Sequence, residues 1–135
     1  MNYMLDTNIC IYIINTKSQS VLDKFLTLKK NDRLSISAIS VAELFFGLEK
    51  SQSHRKEQNK IALIAFLSNL EVLSFDEYAA MEYGKIRLAL QKNGTIIGHN
   101  DLLISAHALS LDAALVTNNE REFRRVEGLR VENWV

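Results

Sequence analysis

The chain has 135 residues, 47% hydrophobic and 24% charged, with no proline. This is the size and make-up of one ordinary globular domain, residues 1–135, able to bury a real core. Equal numbers of acidic and basic residues give a formal net charge of zero, which excludes a broadly basic nucleic-acid coat and confines any such contact to a local patch. No apolar run is long enough for a bilayer, and the first residues lack the basic start and cleavage site of a signal peptide. The single cysteine, Cys10, reads as a buried thiol, so the expectation is a cytoplasmic protein without a membrane role.

Taken in chain order, the apolar run Tyr3–Leu5 predicts a strand that stops at Asp6-Thr7-Asn8, and Ile9–Ile14 predicts a helix behind it. Thr7 and Asn8 are residue types that cap helices. Asp6 is then a carboxylate at the end of an apolar strand, a position that demands a partner. Val21–Lys30 reads as a helix, Asn31-Asp32 as a turn and Leu34–Ser37 as a second strand. A helix follows from Ser40 through Leu48, a polar segment spans 51–59, and Ile61–Leu70 is helical again. Glu71–Phe75 reads as a strand, with Asp76 capping a helix over Glu77–Gln91. A loop over Gly94–Asn100, a helix over Asp101–Leu109, a strand over Ala113–Val116 and a short strand over Leu129–Val131 complete the chain. Strands alternating with helices predict an α/β fold with a parallel sheet covered on both faces.

On that map three acids share one rim. Asp6 ends the first strand, Glu43 lies on the first turn of the helix after the second strand, and Asp101 starts a helix. Glu43 is set among Ile39, Val41, Leu44 and Phe45, and Asp101 precedes Leu102-Leu103-Ile104. Each alone is explained as a helix N-terminal charge. Together, carboxylates beside apolar faces with no accompanying base are what a hard divalent cation such as Mg²⁺ neutralises.

The motifs carry a resemblance. Met4-Leu5-Asp6-Thr7-Asn8, Ser40-Val41-Ala42-Glu43-Leu44, Ile97 through Ala108, and Val116-Thr117-Asn118-Asn119 followed by Glu122-Phe123 resemble PIN-domain ribonucleases, and within them VapC toxins of VapBC (type II) toxin–antitoxin systems. The resemblance runs over essentially the whole chain. It implies a three-layer α/β/α sandwich with a central parallel sheet, and a Mg²⁺-dependent (or Mn²⁺-dependent) endoribonuclease site. Asp6, Glu43 and Asp101 fall on the family's principal acids. By that resemblance Asp6 and Asp101 are direct metal ligands, and Glu43 is a ligand or the acceptor of a water's proton. Thr7, Asn8, Thr117 and Asn119 support them, with Thr117 hydrogen-bonded to an acid. Many members carry a fourth acid where this chain has Asn119. The resemblance further implies a homodimer formed through helices of the N-terminal half, and a VapB-type antitoxin whose tail places a cation against Asp6 and Asp101. Operator DNA is contacted only through that antitoxin. The RNA substrate is expected to be initiator tRNA, cut in its anticodon stem-loop.

The remaining candidates have plainer readings. Arg121, Arg124 and Arg125 form a basic stretch after Asn119 that either contacts RNA phosphates or is a solvated face balanced by Glu120, Glu122 and Glu127. His107 reads as a packed histidine and His99 as a loop residue. Phe45, Phe46, Tyr78 and Tyr83 read as core or interface. No pair of histidines offers the acid and base that a cyclic-phosphate route requires. A receiver domain shares the length and acidic cluster but needs a late lysine, and none follows Lys92. A non-catalytic PIN-fold module acting through antitoxin binding is the second class to weigh.

Overall fold

β1 (Asn2–Leu5) is a short run whose last two residues, Met4 and Leu5, are both fully buried. Successive strand residues face opposite sides of a sheet, so β1 must be covered twice. Leu5 joins Ile9, Ile13, Val21, Ile36, Leu44 and Leu48 on one face, and Met4 joins Ile104, Ala108, Leu115 and Phe123 on the other. The structure, a computed structural model, describes residues 1–16, 18–52 and 54–135; Lys17, and Ser53 within the polar segment expected over 51–59, lie outside the described residues.

The elements follow as α1 (Thr7–Thr16), α2 (Gln19–Thr27), β2 (Arg33–Ser37), α3 (Ala38–Lys50), α4 (Lys56–Leu67), β3 (Glu71–Leu73), α5 (Glu77–Lys92), α6 (His99–Ser110), β4 (Ala114–Val116), α7 (Glu120–Phe123) and β5 (Val131–Glu132). The five strands pair in the order β3-β2-β1-β4-β5, every neighbour parallel. This is the expected three-layer α/β/α sandwich. Strand order reverses at β1: the chain moves outward to β2 and β3, then returns to β4 on the other side. A crevice opens beyond the carboxyl ends of the strands at such a switch point, and Asp6 and Thr117, the residues after β1 and β4, both stand there. A third cluster, Ile86, Leu90, Ile97, Leu102, Ala106 and Val126, binds α5 to α6.

Several boundaries depart from the sequence reading for identifiable reasons. The helix cap after β1 is Asp6 itself, whose Oδ1 accepts the Ile9 amide at 2.8 Å; Thr7 and Asn8 lie inside the first turn. Ser37 caps α3 by accepting the Ile39 amide at 3.1 Å, so that helix starts two residues before Ser40 and Glu43 sits on its second turn. Ser40 is fully buried inside α3. α4 begins five residues earlier than its apolar run and ends at Leu67, and α2 stops at Thr27 because Leu28 is extended. Asp76 caps α5 as expected, accepting the Ala79 amide at 3.1 Å. The last strand is displaced to Val131–Glu132 by a turn at Gly128, whose φ of 84° suits glycine. Among the described residues no helix is long and apolar enough to cross a membrane.

Candidate active site

Asp6 is the most constrained member. It is 2% exposed, its amide donates to the Val116 carbonyl at 3.0 Å, and both carboxylate oxygens are engaged. Oδ1 takes the Ile9 amide, and Oδ2 takes the Thr117 hydroxyl at 2.6 Å. Thr117 is itself fixed, because its amide donates to the Glu132 carbonyl at 2.9 Å and its Oγ1 accepts the Asn119 amide at 2.9 Å. The hydrogen bond expected from Thr117 to an acid is therefore present.

Glu43 is clamped from two helices. Thr7 Oγ1 donates to its Oε1 at 2.5 Å, and Asn100 Nδ2 donates to its Oε2 at 3.1 Å. Asp101 is the third residue of α6, which begins at His99 rather than at Asp101. A Cβ at Gly98 would make ordinary contact, at 3.5 Å, with Asp101 Oδ2, so the Gly98 backbone lies beside that carboxylate.

The electrostatics tie these acids into one site. Burial raises the Asp6 pKa to about 6; the Thr117 and Ile9 hydrogen bonds oppose the rise, and the Glu43 charge adds to it. Asp101 is also raised to about 6, first by burial, then by the charges of Glu122, Asp6 and Glu43 and by a hydrogen bond with Glu122. Among the described residues the side-chain ion pairs lie elsewhere: Lys56–Glu49, Lys85–Glu82, Arg124–Glu120, Arg130–Asp112 and Arg33–Glu71. Hard oxygen donors with no basic partner fit a divalent cation in their chemistry. They do not form a finished coordination sphere, since among the described residues no three His, Cys, Asp or Glu side chains converge on one ion position.

Comparison with known proteins decides the family. The PIN domain family matches residues 3–129. Ribonuclease VapC2 of Rickettsia felis is 48% identical over 99% of this chain and 98% of its own length. The chain belongs to the VapC family of PIN-domain ribonucleases. The tRNA(fMet)-specific endonuclease VapC of Salmonella typhimurium is 41% identical over 99% of this chain and 98% of its own. Among solved structures, VapBC2 from Rickettsia felis bound to a promoter DNA fragment superposes with a TM-score of 0.94, at 47% identity and with both chains fully covered.

Within this VapC-family site stands a fourth acid that the sequence reading misses. Glu122, which reads as a counter-charge to the arginines, is the leading like charge acting on Asp101. It gets there because α7, a helix of Glu120–Phe123, follows β4 closely and is pinned by the fully buried Phe123. The signal available is a buried-type aromatic next to an acid, four residues beyond Asn119. Asn119 enters the site through its backbone amide, which bonds Thr117. Asn8 is exposed. Arg124 is taken by Glu120 at 2.5 Å, Arg125 donates to the Ile96 carbonyl at 3.2 Å, and Arg121 is exposed. His107 is buried, its Nδ1 2.8 Å from Ser37 Oγ and its ring edge-to-face with Phe75, as a packed histidine should be.

Proposed function

We propose that this chain is a Mg²⁺-dependent endoribonuclease toxin that cuts initiator tRNA in its anticodon stem-loop and so stops translation. The observation that carries the chemistry is the gathering of Asp6, Glu43, Asp101 and Glu122 at the sheet's switch point, with no ion pair to a basic side chain among the described residues. Asp6 and Asp101 would hold the ion, Mn²⁺ substituting for Mg²⁺, with Glu122 beside Asp101. A divalent ion held there would supply neutralisation of phosphoryl charge and acidification of a nucleophilic water. Thr117 and the Ile9 amide keep Asp6 oriented, and Thr7 and Asn100 hold Glu43, which would accept the proton of an attacking water. Water attack in this manner leaves a 5′ phosphate and a 3′ hydroxyl and needs no substrate 2′-hydroxyl. A loop target suits the chemistry of recognition, because unpaired bases are what side chains can stack on and read. The name of the Salmonella relative supports the tRNA assignment. The non-catalytic alternative has no counterpart to this cluster.

The partner is a VapB-type antitoxin, as in the related Rickettsia felis and Salmonella typhimurium complexes, both bound to DNA. Its groove lies between α1, α3 and α4, has a volume of about 330 Å³, and is walled by Ile11, Ile14, Leu44, Leu48 and Leu63. The groove reaches Glu43 at the site, so an apolar helix lying in it would deliver a cation to the carboxylates. Operator DNA is reached through the antitoxin. Leu26, Ile61 and Ile64 remain exposed and support a homodimer, while Leu63, from the same apolar run as Ile61 and Ile64, is buried in the core. Localisation is cytoplasmic, where tRNA and translation are.

The test is cleavage of total RNA by purified protein with 5′-end sequencing. The expected result is one dominant cut in the anticodon stem-loop of initiator tRNA, abolished by EDTA and restored by Mg²⁺ or Mn²⁺. Metal-independent cleavage, or cuts spread over many RNAs, would overturn the reading.

A further inference from the structure

Tyr83 and His99, which the sequence reads as a core or interface aromatic and a loop residue, meet in the structure across the α5–α6 seam. His99 opens α6 two residues before Asp101, and its ring stands edge-to-face with Tyr83, centroids 6.0 Å apart and planes at 80°. One turn along α5, Arg87 lays its guanidinium over the Tyr83 ring at 5.8 Å and donates from Nη1 to the Tyr83 hydroxyl at 2.9 Å. Imidazole, phenol and guanidinium thus form one row on the α5–α6 seam, with His99 two residues before Asp101 in the chain. Asn100, the next residue of that first turn, already touches Glu43.

A Tyr–Arg pair four residues apart on a helix is ordinary local packing. Two observations take this one further. Among the described residues no ion pair joins Arg87, Arg121 or Arg125 to a carboxylate, whereas Arg33, Arg124 and Arg130 each have an acid; of the first three, Arg87 is the one set over an aromatic ring. His99 and Arg87 are exposed on either side of the partly buried Tyr83, while the second histidine–aromatic pair, His107–Phe75, is drawn inward by the buried histidine. In a chain of zero net charge, an uncompensated guanidinium set over an aromatic ring is the kind of local patch that attracts phosphate and stacks bases.

We propose that His99, Tyr83 and Arg87 form a docking ridge for single-stranded RNA, holding the nucleotides that flank the scissile phosphate. The ridge rests on the nuclease reading above and names where its substrate lies. Base stacking on such side chains tolerates sequence, so the ridge supplies affinity and register; it does not touch the reacting atoms.

The experiment is a KM and kcat comparison on an RNA stem-loop in Mg²⁺, with fluorescence anisotropy of the same RNA on an Asp6→Asn background. The variants are Arg87→Ala, His99→Ala and their double, all at exposed positions with little risk to folding. Arg87→Lys is added because it keeps the charge and loses the plane. The expected result is a KM raised roughly tenfold by each single variant and up to about a hundredfold by the double. In that outcome kcat falls far less, anisotropy shows a matching loss, and Arg87→Lys recovers only part of it. A wild-type protein that cuts RNA, with a double variant unchanged in both KM and anisotropy, overturns the ridge and leaves the nuclease standing. A wild-type protein that cuts no RNA in Mg²⁺ overturns the nuclease reading, and the ridge with it. A double variant with wild-type KM that escapes antitoxin inhibition assigns the row to the protein partner and rejects RNA docking.

Discussion

Asp6 and Asp101 carry the same carboxyl group, pushed first by burial to the same pKa of about 6, yet their polar surroundings are opposite in kind. Asp6 is fixed by the fold: it closes β1, caps α1 and accepts Thr117 from the end of β4, so moving it would disturb three elements. Asp101 is half-buried on the first turn of α6, and three other acids contribute to its raised pKa. One carboxylate is held by donors that favour its charge and the other is surrounded by charges that oppose it. The site therefore has a rigid wall and a responsive one, and each can be perturbed separately.

The largest effect comes from removing either charge. Asp6→Asn and Asp101→Asn should each lower cleavage by about a thousandfold or more, the several kcal/mol expected of a ligand to a catalytic ion. Their stabilities in EDTA should differ. Asp101→Asn relieves repulsion from Glu122, Asp6 and Glu43 and should raise the thermal midpoint. Asp6→Asn relieves burial of a charge but turns an amide donor toward Thr117 Oγ1, which already accepts from Asn119; its gain should be smaller or negative. Rates by gel assay and melting curves in EDTA measure both. Near wild-type cleavage by Asp101→Asn would sink the metal assignment.

The rigid wall is legible in the sequence and the responsive one only in part. An acid closing an apolar strand is a local signal, and Thr117 at the end of another short strand completes it. The parallel sheet follows from alternating elements, although the strand order that creates the switch point does not. Glu43 reads one turn too early because Ser37, the actual cap, looks like the end of a strand. Glu122 is read as part of a motif and as a counter-charge, and its place beside Asp101 is missed because α7 is only four residues long, too short to show periodicity, and is held by tertiary burial of Phe123. The His99–Tyr83–Arg87 row joins residues from two helices across a loop, which no local pattern announces.

A middle-sized effect probes how the rigid wall is built. Thr117→Val keeps volume and removes the hydroxyl on Asp6 Oδ2. Losing a hydrogen bond that favours the ionised form pushes the Asp6 pKa further up. Supporting hydrogen bonds of this kind are worth about 10- to 100-fold in metal affinity, so calorimetric titration with Mn²⁺ should show a loss in that range. Affinity unchanged in Thr117→Val would mean that Asp6 is oriented by β1 and the Ile9 amide alone.

Smaller shifts come from pH and from the acids around Asp101. Both carboxyls must ionise to bind a cation, so cleavage should rise with pH through about 6 and level above it. Apo stability runs the other way. In the pH interval between the ordinary carboxylate range and about 6, the folded protein binds more protons than the unfolded chain. These two groups therefore lose stabilising contribution as pH rises through about 6, which melting curves in EDTA will show. Glu122→Gln removes the leading like charge on Asp101 and should move the lower limb of the pH–rate profile downward, with a loss of a few-fold in rate at neutral pH and above. Asn119→Asp should tighten Mn²⁺ binding by added charge. A profile identical in Glu122→Gln would place Glu122 outside the site.

The smallest effect expected is also the one that separates two arginine-bearing surfaces. Arg124 belongs to the basic stretch that the sequence offers as an RNA-binding candidate, but its guanidinium lies 2.5 Å from Glu120, one turn back on the chain. An exposed pair of this spacing contributes only about 0.3–0.5 kcal/mol, and its charge is already cancelled for any phosphate approaching from solvent. Arg124→Ala should therefore change KM for RNA by less than about twofold, against the roughly tenfold expected of Arg87→Ala. Salt dependence sharpens the contrast, because removing a cation that neutralises a phosphate makes affinity fall less steeply with ionic strength. Arg87→Ala should flatten that slope and Arg124→Ala should leave it as it is. If Arg124→Ala flattens it instead, the Glu120 pair opens when RNA binds, and the basic stretch after Asn119 joins the RNA surface.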